Sequence, residues 1–173
     1  MNKILWEKDL IYEGVKVVPY SWRVSTPLSN FEANLNYKDI QDPSITLRFK
    51  IKDEESLYLL AWTTTPWTIP ANKALAYNQS LDYLLIEVND EGDFKNKKIV
   101  IADALLESVV KDCKIEKFKR LKKFKGKDLK GTICNHPFFK LGYDYDIPML
   151  EARFVTTEQG TGIVHCAPSH GPD

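Results

Sequence analysis

Cysteine is scarce in this chain: Cys113, Cys134 and Cys166 are three in 173 residues, odd in number and without any C-x-x-C pair. That excludes a disulfide framework and gives no paired-thiolate zinc motif, and unpaired thiols suit a reducing compartment, so a cytoplasmic location is expected. His136 beside Cys134 and His170 beside Cys166 are isolated pairs that read as structural residues, and no metal site is expected. Net charge is also missing, because 24 Lys and Arg balance 24 Asp and Glu. Any polyanion-binding surface therefore has to come from local clustering. No apolar run approaches the roughly 18–20 residues of a membrane span, and the N-terminus lacks the basic-then-apolar layout of a signal peptide, so no membrane partner is expected.

What remains is ordinary globular material, 43% hydrophobic, 28% charged and 12% aromatic. The length suits one hydrophobic core, which predicts a single domain over 1–173, with 1–45 as a lead-in and 46–173 as the core. Residues 1–12 carry a short helical pattern with Gly14 as a stop. The stretch 15–44 holds Pro19, Pro27 and Pro43 and is predicted to be extended and loop-rich, without helix. Ile45, Leu47, Phe49 and Ile51 alternate with polar residues as a half-buried strand does. "SLYLLAWTTT", "DYLLIEV", "NKKIVIA", "ARFVTT" and "GIVHCA" read as further strands, and "DALLESVVKDC" as the one clear helix. Many short strands with scattered Pro and Gly predict a mainly β fold, a closed β-barrel with helical decorations.

Local charge clusters once. Residues 111–130, "KDCKIEKFKRLKKFKGKDLK", hold ten Lys or Arg against three acidic residues. This is either a solvated ribbon around Phe118, Leu121 and Phe124 or a surface for a phosphate backbone.

Two stretches carry chemistry. In "AWTTTPWTIPAN" an extended backbone would put Thr63, Thr65 and Trp67 on one face and Trp62 and Thr64 on the other. Pro66 restricts Thr65 and Pro70 closes the segment, so a bend near Thr65 would bring hydroxyls and free N–H groups together on a pocket. The alternative is an edge strand whose threonines pair across a sheet. In "EQGTGIVHCAPSHGPD", Gly160 and Gly162 permit tight backbone geometry, after which Ile163, His165 and Ala167 share one strand face. His165 is there a core residue or a ligand-facing one. Neither a phosphate-binding Walker loop nor a dinucleotide fingerprint is present.

Together, "WTTTPWTIPAN" and "GTGIVHCAPSHGPD", in this order and about a hundred residues apart, resemble the two signature segments of the editing domain inserted into isoleucyl-tRNA synthetase. The resemblance extends over the lead-in "IYEGVKVVPYSWRVSTPLSNFEANLNYKDIQDPSITLRFKI". Valyl and leucyl relatives carry T-T-R-P in place of T-T-T-P, and the valyl ones usually have Lys where this chain has His165.

The resemblance implies a hydrolase that clears valine from tRNA(Ile). One methylene separates valine from isoleucine and gives a pocket only about 1–3 kcal/mol, so a second, smaller site must sort them by size. By resemblance, Thr63, Thr64 and Thr65 bind the terminal adenosine and the ester and position the attacking water. Trp67, Thr68, Asn72 and Gly160 fall on substrate-binding positions, and His165 walls the side-chain pocket against isoleucine. Asp173 matches the first of two aspartates, the second of which holds the substrate's ammonium group. The implied partners are valine-charged tRNA(Ile) and the rest of the synthetase. No synthetase catalytic motif is present, so the chain reads as an excised domain without a cofactor, ATP and Mg being expected only in the parent enzyme. Two other classes remain open: a module that binds the tRNA acceptor end without chemistry, and an unrelated acyl hydrolase with Thr64 or Thr65 as nucleophile.

Overall fold

The computed structural model describes residues 2–35 and 37–171 and divides into two compact units, residues 1–41 with 169–173, and Asp42–Pro168. The first unit contains helix α1 (Asn2–Glu7), a two-residue antiparallel pair of β1 (Tyr20–Ser21) and β2 (Thr26–Pro27), and helix α2 (Asn30–Ala33). The short helix corrects the expectation of a helix-free 15–44. Its cause is a capping box: the Ser29 N–H donates to a Glu32 carboxylate oxygen at 2.9 Å while the Glu32 N–H donates to Ser29 Oγ at 3.2 Å.

The second unit holds two sheets. Strands β3 (Ile45–Lys50), β4 (Leu57–Thr63), β5 (Ala74–Tyr77), β6 (Asp82–Val88) and β7 (Lys98–Ala102) precede helix α3 (Leu106–Asp112), and β8 (Phe118–Lys125), β9 (Ile133–Asn135), β10 (Asp146–Glu151) and β11 (Val164–Cys166) follow it. One sheet runs β3-β4-β7-β6-β8 and the other β11-β5-β10-β9. Both are mixed, since β4 lies parallel to β7 and β10 parallel to β5, while the other pairs are antiparallel.

Neither sheet closes, which overturns the expected closed barrel. Closure needs both edges of a sheet to find strand partners. On one edge, β8 reads FKRLKKFK with six of its eight residues exposed, and rows of lysine are a recognised means of keeping an edge unpaired. On the other, the β3 side reaches β9 only through an isolated bridge between Ile51 and Cys134. The sequence 152–157, expected as a strand, forms turns instead.

The core lies between the sheets of this unit and draws on both. Phe49, Leu59, Tyr83, Ile86, Ile99 and Ile147 are fully buried within one apolar cluster. Strands β4, β6 and β7 bury residues on both faces, which explains their near-continuous apolar runs. Helix α3 adds Leu106 and Val109 to the same core.

Candidate functional site

Strand β4 ends at Thr63, and Thr65 caps a 3-10 turn over Pro66–Ala71 with φ −120° and ψ 63°. The bend expected at Thr65 is present, and Pro66 sits at the start of the turn, where its missing N–H costs nothing. The edge-strand alternative does not hold, because only Thr63 belongs to a strand, where it pairs with Ile45, and Thr64 and Thr65 lie past the end of β4.

The bend gathers three hydroxyls, though not the three consecutive ones. Thr63 Oγ1 lies 3.1 Å from Thr65 Oγ1 and also accepts the Thr65 N–H at 3.0 Å. Thr68, one turn on, has its Oγ1 3.5 Å from that of Thr65 and donates to the Thr65 carbonyl at 2.8 Å. Ninety-seven residues later, His165 on β11 brings Nε2 to 2.9 Å from Thr68 Oγ1. Its other ring nitrogen, Nδ1, lies 3.2 Å from Asn72 Nδ2.

Fully buried Asn72 sets the direction of this chain of bonds. Its Nδ2 donates to the Ala74 carbonyl at 2.9 Å and faces the Cys166 carbonyl at 3.4 Å, so the amide nitrogen, not the oxygen, turns toward His165. Nδ1 of His165 therefore accepts, Nε2 carries the proton and donates to Thr68, and the Thr68 hydroxyl passes its own proton to the Thr65 carbonyl. Asn72 Oδ1 is buried with no hydrogen-bond partner among the described residues. The imidazole is held at both nitrogens, in a fixed plane, at the head of the threonine turn.

Thr64 takes no part in these hydrogen bonds. With Trp62, Thr63 and Gly160 it lines a cavity of about 280 Å³ whose far side is Phe154, Thr156 and Gln159. Phe154 and Thr156 were not legible as site residues, because 152–157 reads as a plain strand, and Gln159 lies in the second quoted stretch without having been singled out. That turn is clamped into the fold. Thr161 Oγ1 donates to the Leu60 carbonyl at 2.5 Å, the Ala102 N–H donates to the Thr161 carbonyl at 2.9 Å, and Tyr83 donates its phenol to the Gly162 carbonyl at 2.7 Å. Burial pushes the Tyr83 phenol up to about 12, so it remains a donor at any working pH. Trp67, on the same turn as Thr68, is 70% exposed and does not line that cavity, and Asp173 lies outside the described residues.

The turn carrying Thr68 and Asn72 is fastened from behind. The Phe138 N–H donates to His136 Nδ1 at 3.0 Å, so Nε2 of this buried histidine carries the proton and donates to the Ile69 carbonyl at 2.9 Å. Tyr145 donates its hydroxyl to the Asn72 carbonyl at 3.0 Å, and Lys73 Nζ sits 3.6 Å from the centre of the Tyr145 ring. His136 also stacks on Tyr143, with ring centres 4.7 Å apart.

Among the described residues no helix is long and apolar enough to cross a membrane.

Residues 2–159 match the family model of class I tRNA synthetases (I, L, M and V). The chain is 63% identical to the isoleucine–tRNA ligase of Pelagibacter ubique over all of its own length and 19% of that protein. It is 44% identical to the isoleucine–tRNA ligase of Bdellovibrio bacteriovorus over 98% of itself and 16% of that protein. It thus spans less than a fifth of the length of these relatives. Its fold resembles the editing domain of the P. knowlesi cytosolic leucyl-tRNA synthetase, with a TM-score of 0.58 at 15% identity, covering 73% of this chain and 59% of that one. A second solved structure, GlLeuRS-CP1, gives 0.57 at 15% identity over 71% and 54%. The chain belongs to the class I tRNA synthetases, with isoleucine–tRNA ligases matching it end to end and a synthetase editing domain as its fold.

Proposed function

We propose that the chain hydrolyses valine from mischarged tRNA(Ile), with the threonine turn and His165 forming the wall that sorts valine from isoleucine. The observation that carries this reading is the shared neighbour: Thr68 Oγ1 touches both Thr65 and His165. An aminoacyl ester is already activated, so a held water and donors for the developing oxyanion suffice, with no cofactor and no covalent intermediate. The Thr63–Thr65 pair and the cavity beside Thr64 supply hydroxyls for the terminal ribose and the water.

His165 acts in this reading as a wall and not as a base, because both ring nitrogens are engaged by Thr68 and Asn72. The same engagement argues against a threonine nucleophile, which needs an adjacent base to take its proton. A sieve for one methylene needs rigidity, and a ring pinned at two points supplies it.

The test is deacylation of valyl-tRNA(Ile) by the chain extended by the few residues that follow Asp173. Release of valine at the background rate, with tRNA still bound, would replace the hydrolase by an acceptor-end binding module. Replacing His165 by Ala is expected to open attack on the isoleucyl ester and shrink the valine preference by tenfold or more, the range that one methylene controls. An unchanged preference would remove His165 from the wall.

A further inference from the structure

A second cavity, of about 820 Å³, lies on the other side of His136 within the same compact unit. It is lined by four cations, Arg48, Lys50, Lys97 and Lys140, against the single carboxylate of Asp93. None of the four cations forms an ion pair among the described residues. Two of them converge on one neutral atom: Lys97 Nζ donates to the Asp93 carbonyl at 2.7 Å, and the Arg48 guanidinium donates to the same oxygen. A carbonyl orients two like charges without cancelling them, and the Arg48 guanidinium also lies 5.3 Å over the neutral Phe94 ring, so neither positive charge is neutralised by a carboxylate. Apolar faces stand beside this charge. Tyr58 and Phe138 are half-buried in the lining, and Phe139 exposes 44% of its surface.

Unpaired cations next to accessible aromatic rings are the combination that holds single-stranded nucleic acid, phosphate on the charges and base on the ring. The basic strand β8 is the competing surface, and it fits less well. Its Lys123 is 2.6 Å from Asp103 and its Lys125 is 2.7 Å from Asp82, so part of its charge is already neutralised. Its rings, Phe118 and Phe124, pack inward on the core.

We propose that the Arg48–Lys140 cavity seats a nucleotide of single-stranded RNA, with the backbone phosphate on Lys50 and Lys140 and the base against Phe139. The identity of the strand as the unpaired end of a tRNA rests on the editing reading above. The cavity lies next to that site: its His136 wall holds the Ile69 carbonyl of the turn that carries Thr68 and Asn72.

The experiment is fluorescence anisotropy of a labelled short single-stranded RNA titrated with the chain across a salt series. Lys50→Glu with Lys140→Glu is expected to weaken binding at least tenfold and to flatten the log–log salt slope by about 1 to 1.5, two contacts at roughly 0.7 each. Phe139→Ala is expected to weaken binding about fivefold or more with the slope unchanged, the mark of lost stacking. Lys119→Glu with Lys122→Glu on β8 should leave affinity and slope near those of the parent chain. Thermal unfolding checks each variant, and Lys50→Gln with Lys140→Gln replaces the reversal if it does not fold. Unchanged affinity in the Lys50/Lys140 variants, or loss confined to the β8 variants, overturns the proposal. Cavity-dependent RNA binding without deacylation would sink the hydrolytic reading and leave this one standing.

Discussion

At Gly162, with φ +76°, an added Cβ would come within 2.3 Å of the Ala102 Cβ, whereas at Gly160, with φ +80°, it would meet only the Trp62 side chain at 3.5 Å. Both positions carry left-handed strain of about 1–2 kcal/mol for an L-residue, and only the first adds overpacking of about 1–3 kcal/mol. Gly162→Ala should therefore destabilise by about 2–5 kcal/mol and Gly160→Ala by about 1–2 kcal/mol, compared by denaturant unfolding; equal losses would mean the Ala102 contact relaxes freely. His136 offers a pH-dependent counterpart. Burial holds its imidazole below the ordinary 6.5, opposed by the hydrogen bond to the Ile69 carbonyl and reinforced by the Lys73 charge. The unfolded chain takes up this proton first as pH falls, so the contribution of neutral His136 is complete above pH about 6.5 and is lost as the pH drops from there through the lower folded value. The advantage of the parent chain over His136→Gln in melting temperature should shrink on acidification through that window, and a constant difference would contradict the assignment. The residues that matter most here were legible as types but not as partners: Thr68 and His165 both stood out, while His136 read only as a structural histidine near a cysteine.

Strands show where periodicity informs and where it does not. β3, β4, β6 and β7 announce themselves by alternation or by continuous branched apolar runs. β5 is four buried residues, Ala-Leu-Ala-Tyr, with neither alternation nor β-branching, and β10 contains Pro148, which argues against a strand. Pro148 is tolerated because it pairs opposite Ile133 near the end of the short ladder to β9. Position within the sheet then ranks the strands energetically. β6 lies between β7 and β8, with Ile86 fully buried, so Ile86→Ala should cost about 2–5 kcal/mol. Lys119→Ala on exposed β8 should leave the unfolding midpoint unmoved. A large effect at Lys119 would mean that β8 is held by more than its ladder to β6.

For the whole molecule, the contrast between the two units is the guiding fact. Among the described residues every buried apolar one lies between Phe49 and Ile163, and none of those described for burial in 3–41 is buried. Residues 42–168 should therefore fold cooperatively when 1–41 are deleted, with near-UV circular dichroism and melting temperature close to those of the parent chain; loss of the transition would show that the first unit contributes to the core. The sequence by itself determined strands β3, β4, β6, β7 and β11, the break before Pro66 and the pair of motifs carrying the family resemblance, because alternation, proline geometry and residue order are properties of near neighbours in the chain. Only the tertiary structure decided that the sheets stay open, that Thr64 joins Thr63 in the cavity beside Gly160 while Thr65 joins Thr68, and that Thr68 meets His165 across 97 residues. Those outcomes depend on which strand edges find partners and in what register, and such pairing is set by the packing of the whole core rather than by local pattern.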